Sequence, residues 1–344
     1  MERILSRSGI QGRFLLVHSL TDKDTLLSLY TMSYKIRLVE SEIAREYPKG
    51  EMRCPVHLSV GQELTSAVFS FFQKKLDYAV STHRAHAHYI AKRGDIKAML
   101  SEIYGKATGC SQGRGGSMHL SDSKVRFMGS SAIVGNSIPV GVGIAYGLKL
   151  HQQSSRVYIF LGDAATEEGV FFESLNFAVL HHLPIIFVCE NNKYSVYTGI
   201  NDRQPKNRSI TDLVRAFGVQ SYFVEFGNLH KAFEVFSRAT SAQGDFGPQF
   251  IEVETYRWLE HCGPNSDDDL AYRPKGELER YIGYDIIAQL ETLLMEIDKS
   301  ADVLLREIDR ELQQEISEAF AYAKKSPFPD ISMSVGDYYG GNNF

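Results

Sequence analysis

At 344 residues the chain is long enough for one large or two ordinary domains, and its 43% apolar and 23% charged residues are those of an ordinary soluble globular protein. A net charge of -5 leaves no basic excess to neutralise phosphates, so no nucleic-acid partner is expected. Cys54, Cys110, Cys189 and Cys262 lie far apart with no C-x-x-C pair, which argues against a zinc ribbon or a disulfide framework and fits a reducing compartment.

The opening segment, MERILSRSGIQGRFLLVHSL, carries three arginines and scattered serines in the manner of a transit peptide. Glu2 and the lack of a cleavage pattern argue against one, so a cytoplasmic location is expected, with the mitochondrial matrix as the alternative. Over 22–47 the apolar positions Leu26, Leu27, Leu29, Tyr30, Met32, Tyr34, Ile36 and Val39 recur with roughly helical period. Helices are expected again over Gln62–Lys74 and Ile90–Tyr104, before a glycine-rich polar stretch at 105–122 breaks the pattern. Residues 129–148 (GSSAIVGNSIPVGVGIAYGL) are uncharged over about the length of a membrane span. Asn136, Pro139, several serines and five glycines make the segment too polar for that. It reads as buried loop and helix, and no membrane association is expected.

From 156 the pattern becomes strand, helix, strand. RVYIFLGD is a short apolar run ending at Gly162-Asp163, and LPIIFVCENN is a second, closed by Asn191-Asn192. Between them Thr166 to His182 places Phe171, Leu175, Ala178 and Val179 at helical spacing, with Glu167 and Glu168 in the first turn where the helix dipole favours acids. Two more strands are expected at 220–226 and 248–257 around a helix at His230–Ala242, and mostly helix from Lys275 to Lys325. Alternating strands and helices predict an α/β fold with a parallel sheet and right-handed crossovers.

In such a sheet ligands bind beyond the carboxyl ends of the strands. Asp163 and Asn192 fall at two such ends, where a carboxylate and an amide oxygen suit magnesium better than zinc. Magnesium held by one carboxylate takes its other oxygens from backbone, water and a ligand phosphate, so the pattern predicts a phosphorylated cofactor. Either dipeptide alone reads as an ordinary turn.

The combination resembles the thiamine-diphosphate motif, which opens Gly-Asp-Gly and closes Asn-Asn one crossover later. From about residue 25 onward the chain resembles the α subunit of two-subunit 2-oxo-acid dehydrogenases of the pyruvate, branched-chain or acetoin type. The resemblance implies one thiamine-diphosphate-binding domain over 1–344, with a helical arm at 1–50 and a helical segment at 275–344. It implies Mg²⁺ ligation by Asp163, Asn192 and the backbone carbonyl of Tyr194, and diphosphate contacts at Gly162, Ala164 and Ala165. Here the chain departs from the family: Ala164 stands where the motif has glycine, which narrows the backbone approach.

In STHRAHAHYIAKRG the alternating His83, His86 and His88 point apart on a helix rather than toward one zinc ion. The resemblance places a Tyr-Arg pair here against the diphosphate; Arg84 matches and His83 replaces the tyrosine. Arg257 is the second implied diphosphate ligand, since guanidinium forks match phosphate oxygens, although either arginine alone is as readily a surface ion pair. His261 and His57 align with family active-site histidines, either exchanging protons near neutrality or sitting as satisfied core histidines. Leu259-Glu260-His261 keeps only the second histidine of the usual His-Gly-His. Gly141 and Gly143 do not make a dinucleotide fingerprint, because no strand precedes them and Tyr146 fills the third position. They read as close helix packing, and backbone of Ala132 and Val134 is assigned by resemblance to the aminopyrimidine.

The implied function is oxidative decarboxylation of a pyruvate-like 2-oxo acid with acyl transfer to lipoate. The activating glutamate is expected on a β subunit in a heterotetramer, with a lipoyl acyltransferase as further partner. Glu190 before Asn-Asn is of the pyruvate and acetoin type. The loop GPNSDDDLAYR departs from the serine-containing loop of the pyruvate enzymes and keeps non-oxidative carbon–carbon ligation as the alternative.

Overall fold

The computed structural model describes residues 20–241 and 247–330. The segment weighed as a transit peptide lies outside the described residues except for Leu20, as does the C-terminal stretch after 330. Helix α1 (Lys23–Glu46) starts where the Asp22 carboxylate accepts the Thr25 amide at 2.9 Å, an N-cap that satisfies a first-turn donor. Its Leu26, Leu29, Ile36, Val39 and Ile43 are buried. Helix α2 (Glu63–Phe72) leads into strand β1 (Tyr78–Ser81).

The helix expected at Ile90–Tyr104 is two helices, α3 (His86–Ala91) and α4 (Ile96–Ile103). Arg93 turns left-handed, Gly94 lies where a Cβ would strike the Tyr89 ring at 2.2 Å, and Asp95 caps the new start. His83 and Arg84 therefore precede the helix, in the turn after β1. Strand β2 (Phe127–Ser130) and helix α5 (Ser137–Leu150) follow, then β3 (Val157–Gly162).

After β3 a short 3₁₀ turn occupies Asp163–Glu167, and helix α6 begins only at Gly169, running to Leu180. Glu167 is thus in the turn and Glu168 at the cap, one step earlier than a first-turn position. Strand β4 (Ile185–Asn191) is followed by a small hairpin, β5 (Tyr194–Ser195) and β6 (Thr198–Gly199), and by helices α7 (Ile200–Arg203) and α8 (Ile210–Ala216). Strand β7 (Gln220–Val224), helix α9 (Leu229–Ser241) and strand β8 (Gln249–Glu254) complete the sheet. Helices α10 (Glu277–Ile282), α11 (Ile286–Ile297) and α12 (Ala301–Lys325) close the described chain, α11 and α12 packing on α1 and α12 also on α4.

The six strands are all parallel in the order β2-β1-β3-β4-β8-β7. Alternation along the strands divides the core in two. Val157, Ile159 and Leu161 of β3 face α5, α6 and α8; Tyr158 and Phe160 face the opposite layer with Phe69 and Phe236. Chain direction across the sheet reverses between β1 and β3, which opens a crevice at their carboxyl ends.

The segment at 129–148 is buried on one side only. Gly141 does serve close packing, since a Cβ there would meet Ile159 at 2.5 Å and Val80 at 2.9 Å. Gly143 does not: nothing lies within 4 Å of its Cβ position. Val140 and Leu150 are exposed, because α5 lays only one stripe on the sheet, and Ile133 and Val134 are exposed in the loop before it.

Candidate active site

A cavity of about 980 Å³, its open mouth included, lies at the carboxyl ends of β1, β3 and β4. Gly162, Asp163, Ala164 and Ala165 line it after β3, His83 and Arg84 after β1, and Asn192 and Tyr194 after β4. His57 and His261 enter from loops before α2 and after β8, and Ala132 and Val134 form the wall that leads into α5. Parallel strands carry their last residues to a common edge, which is why groups distant in sequence meet here.

Asp163 is 2% exposed. Burial raises its pKa, opposed by the Arg203 guanidinium, which forms an ion pair with both Asp163 and Glu167. The side chain of Asn192 is held from both ends: its Oδ1 accepts the Tyr194 amide at 3.1 Å and its Nδ2 donates to Gln62 at 3.2 Å. Gln62 lines the cavity too. It stands in the same HLSVGQE stretch as His57, and a plain amide carries no chemical signature in sequence. Thr82, Met118, Ser131 and Ser195 also line the wall and offer no chemical signature in sequence.

His57, His83 and His261 come together although they are far apart in the chain. Their ring centroids are 4.6, 5.0 and 5.3 Å apart. Burial and then the nearby Arg84 charge lower their pKa values to about 2, 3 and 4, so all three imidazoles are neutral at physiological pH. The remaining histidines of the motif diverge. His86 bridges Glu40 and Ser117, and His88 Nδ1 pairs with Ser81 while its other nitrogen lies 3.2 Å from Glu190. Arg84 is itself buried; burial and the Arg257 charge lower its pKa to about 10, leaving it a cation. Its Nη1 donates to the Leu58 carbonyl at 2.6 Å and Nη2 to the His261 carbonyl at 3.2 Å.

Arg257 is placed differently. It is 1% exposed and absent from the cavity wall. Its two Nη atoms donate to the Leu259 carbonyl and Asp267, each at 2.7 Å, to Tyr272 at 2.7 Å and to the Val196 carbonyl at 2.8 Å. Val196 does line the cavity and has φ +56, a left-handed backbone that a branched side chain adopts only when held. Arg257 reaches the cavity through that carbonyl.

Comparison with known proteins fits this layout. The family model described as "Dehydrogenase E1 component" matches residues 31–332. The chain belongs to that family. A pyruvate dehydrogenase E1 component subunit alpha from Rickettsia bellii is 31% identical over 306 residues, spanning 88% of this chain and 93% of that protein. The chloroplastic pyruvate dehydrogenase E1 component subunit alpha-3 of Arabidopsis thaliana is 36% identical over 328 residues, 93% of this chain and 76% of that one. The corresponding Porphyra purpurea subunit is 33% identical over 318 residues, at 90% and 91% coverage. The candidate residues of this E1-family chain line one cavity at the sheet's carboxyl edge, and among the described residues no helix is long and apolar enough to cross a membrane.

Proposed function

We propose that this chain is the α subunit of a thiamine-diphosphate- and Mg²⁺-dependent dehydrogenase that oxidatively decarboxylates a pyruvate-like 2-oxo acid and passes the acyl group to lipoate. The observation that carries the reading is the convergence of Asp163 and Asn192 on one cavity at adjacent strand ends, in a chain of the E1 family. The donor set fits the ion: a buried carboxylate, an amide oxygen pinned by Tyr194 N–H, and backbone at Tyr194 are hard oxygen ligands. One carboxylate alone under-fills magnesium, which leaves room for diphosphate oxygens.

Thiamine diphosphate, when bound, supplies the electron sink for losing carbon dioxide. The protein's own residues do the rest. Asp163, Asn192 and Tyr194 anchor the metal. Arg84 lends positive charge to the diphosphate, and the backbone from Gly162 to Ala165 approaches it. Backbone of Ala132 and Val134 flanks the aminopyrimidine. Arg257 holds the Val196 turn in place rather than touching phosphate. His57 and His261, neutral and short of hydrogen-bond partners, donate to or accept from the reacting 2-oxo acid, while His83 stands beside Arg84 in the place of the family's tyrosine at the diphosphate.

A β subunit carrying the activating glutamate completes the site. Two features support such a partner. Ile133 and Val134 line the cavity and are exposed, and the outer faces of α5 and α6 expose Val140, Leu150, Phe177 and Leu180. Apolar groups gathered on neighbouring helices mark an interaction surface. A lipoyl acyltransferase is the expected further component, the whole chain forms one cofactor-binding unit, and the enzyme works in the cytoplasm. The test is to purify the chain alone and with its β subunit and assay 2-oxo-acid decarboxylation with an artificial electron acceptor. Turnover is expected only in the mixture. Equal turnover by the isolated chain, or carbon–carbon ligation as the sole product in the mixture, overturns the reading.

A further inference from the structure

We propose that His57, His83 and His261 form a binding site for a divalent transition-metal ion of the zinc class, with a donor set separate from the oxygen ligands at Asp163 and Asn192. The ligand nitrogens of the three imidazoles all lie within 4.8 Å of one another. Zinc holds three histidines with a fourth position open to solvent or ligand, at Zn–N of about 2.0–2.1 Å. Tetrahedral angles at that length put the ring centroids about 5 Å apart. The observed separations are 4.6, 5.0 and 5.3 Å, so the rings already stand near the required spacing.

A second observation points to an absent partner. Among the described residues none of the three imidazoles makes a side-chain hydrogen bond, and Nδ1 of His57, a residue 6% exposed, is buried without one. Buried polar atoms in folded proteins almost always have partners, and a metal ion supplies one here. The support is rigid where it matters. Arg84 ties the Leu58 carbonyl, next to His57, to the His261 carbonyl, and Arg84 adjoins His83. Closing on an ion draws the nitrogens from within 4.8 Å to about 3.3 Å of one another, which asks for side-chain rotation on a backbone already held together.

Ligand type separates this site from the magnesium site, because imidazole nitrogens favour zinc, copper and nickel while carboxylate and carbonyl oxygens favour magnesium. The Arg84 charge opposes a bare dication beside it. An anionic fourth ligand (hydroxide, chloride or a carboxylate) offsets that charge, and the cavity side of the cluster is where it enters. His83 is the decisive member, since the family's usual tyrosine at this place leaves two imidazoles. An ion held here occupies the cavity, so zinc inhibits the enzyme at concentrations that leave magnesium binding intact.

The experiment uses the full chain, stripped with chelator, without Mg²⁺ or thiamine diphosphate, titrated with Co²⁺ as a visible probe and then with Zn²⁺. The expected result is one Co²⁺ per chain with the strong visible bands of a tetrahedral nitrogen site, displaced by Zn²⁺. His83→Phe and His261→Ala should each weaken Co²⁺ binding by about 100-fold or more, beyond what loss of an outer hydrogen-bond partner costs a metal site. Asp163→Asn should keep the Co²⁺ spectrum, which separates this result from failure of the magnesium reading. If one histidine variant does not fold, the other decides. Weak octahedral bands, no saturable binding, or an unchanged spectrum in a folded histidine variant overturns the proposal.

Discussion

Two arginines that look alike in sequence occupy different regions. Arg84 follows β1 at the sheet's carboxyl edge and lines the cavity, while Arg257 follows β8 and is buried behind it in a loop-borne network. At the strand edge the backbone decides where side chains go, because parallel strands deliver their ends to one crevice. In the loop region the side chains decide. Asp267, 1% exposed, sits between Arg257 and Arg273, the latter at 3.1 Å, with Tyr272 closing the group. Burial works against the Asp267 charge, but the Tyr272 hydrogen bond and the two guanidinium groups outweigh it and hold the carboxyl below its usual range. One region lines an open cavity and the other closes on itself as a brace.

The largest effect should come from the edge. Asp163→Ala removes the only full protein charge in the proposed magnesium set, so calorimetry should find no Mg²⁺-dependent binding of thiamine diphosphate. Unchanged affinity would defeat the metal assignment.

In the brace the loss should appear in stability instead. Asp267→Ala leaves two buried guanidinium groups without their carboxylate, and breaking a buried pair in this way costs about 3–5 kcal/mol. Denaturant unfolding of the isolated chain reads it directly. A midpoint equal to wild type would mean that solvent reaches the cluster. The comparison sharpens with lysine. Arg84→Lys should weaken cofactor binding with a modest change in stability, whereas Arg257→Lys should destabilise more and bind cofactor once folded, because one ammonium cannot replace four hydrogen bonds. The reverse order of effects would make Arg257 the phosphate ligand.

Acid should act on the histidine side. In the unfolded chain the three imidazoles titrate near the ordinary value of about 6.5. In the folded chain they stay neutral until about 4, 3 and 2. Between those values the unfolded state binds protons that the native state refuses, so stability present above about pH 6.5 is lost as pH falls. Melting of the metal-free chain from pH 7 to 5 should show the decline, and His57→Phe should make it shallower. A slope indifferent to His57 would assign the acid sensitivity to carboxylates.

The strand-edge region was largely legible in sequence. Strands β3, β4, β7 and β8 are apolar runs bounded by turn residues, and Asp163 and Asn192 fall at the ends of two of them. Strands β1 and β2 were not legible, because YAVS and FMGS are too short to show a period and Met128 is exposed. The histidine cluster was hidden for another reason. Sequence proximity grouped His83 with His86 and His88, whereas folding grouped it with His57 and His261 across three elements. Nor does a run of three aspartates reveal that Asp267 is buried while Asp268 and Asp269 are exposed.

The smallest expected effect tests the outer face of α5 against its inner one. Gly141→Ala drives a methyl into Ile159 and Val80, which belong to the packed sheet layer, and should destabilise the chain. Gly143→Ala meets nothing within 4 Å and relieves the cost of glycine in a helix, about 0.5–1 kcal/mol, so the isolated chain should melt slightly higher. If the exposed face with Val140 and Leu150 packs against a β subunit, that same methyl lies in the interface. Co-purification should then weaken for Gly143→Ala while the isolated subunit gains stability. Gain in both would place the partner on another face.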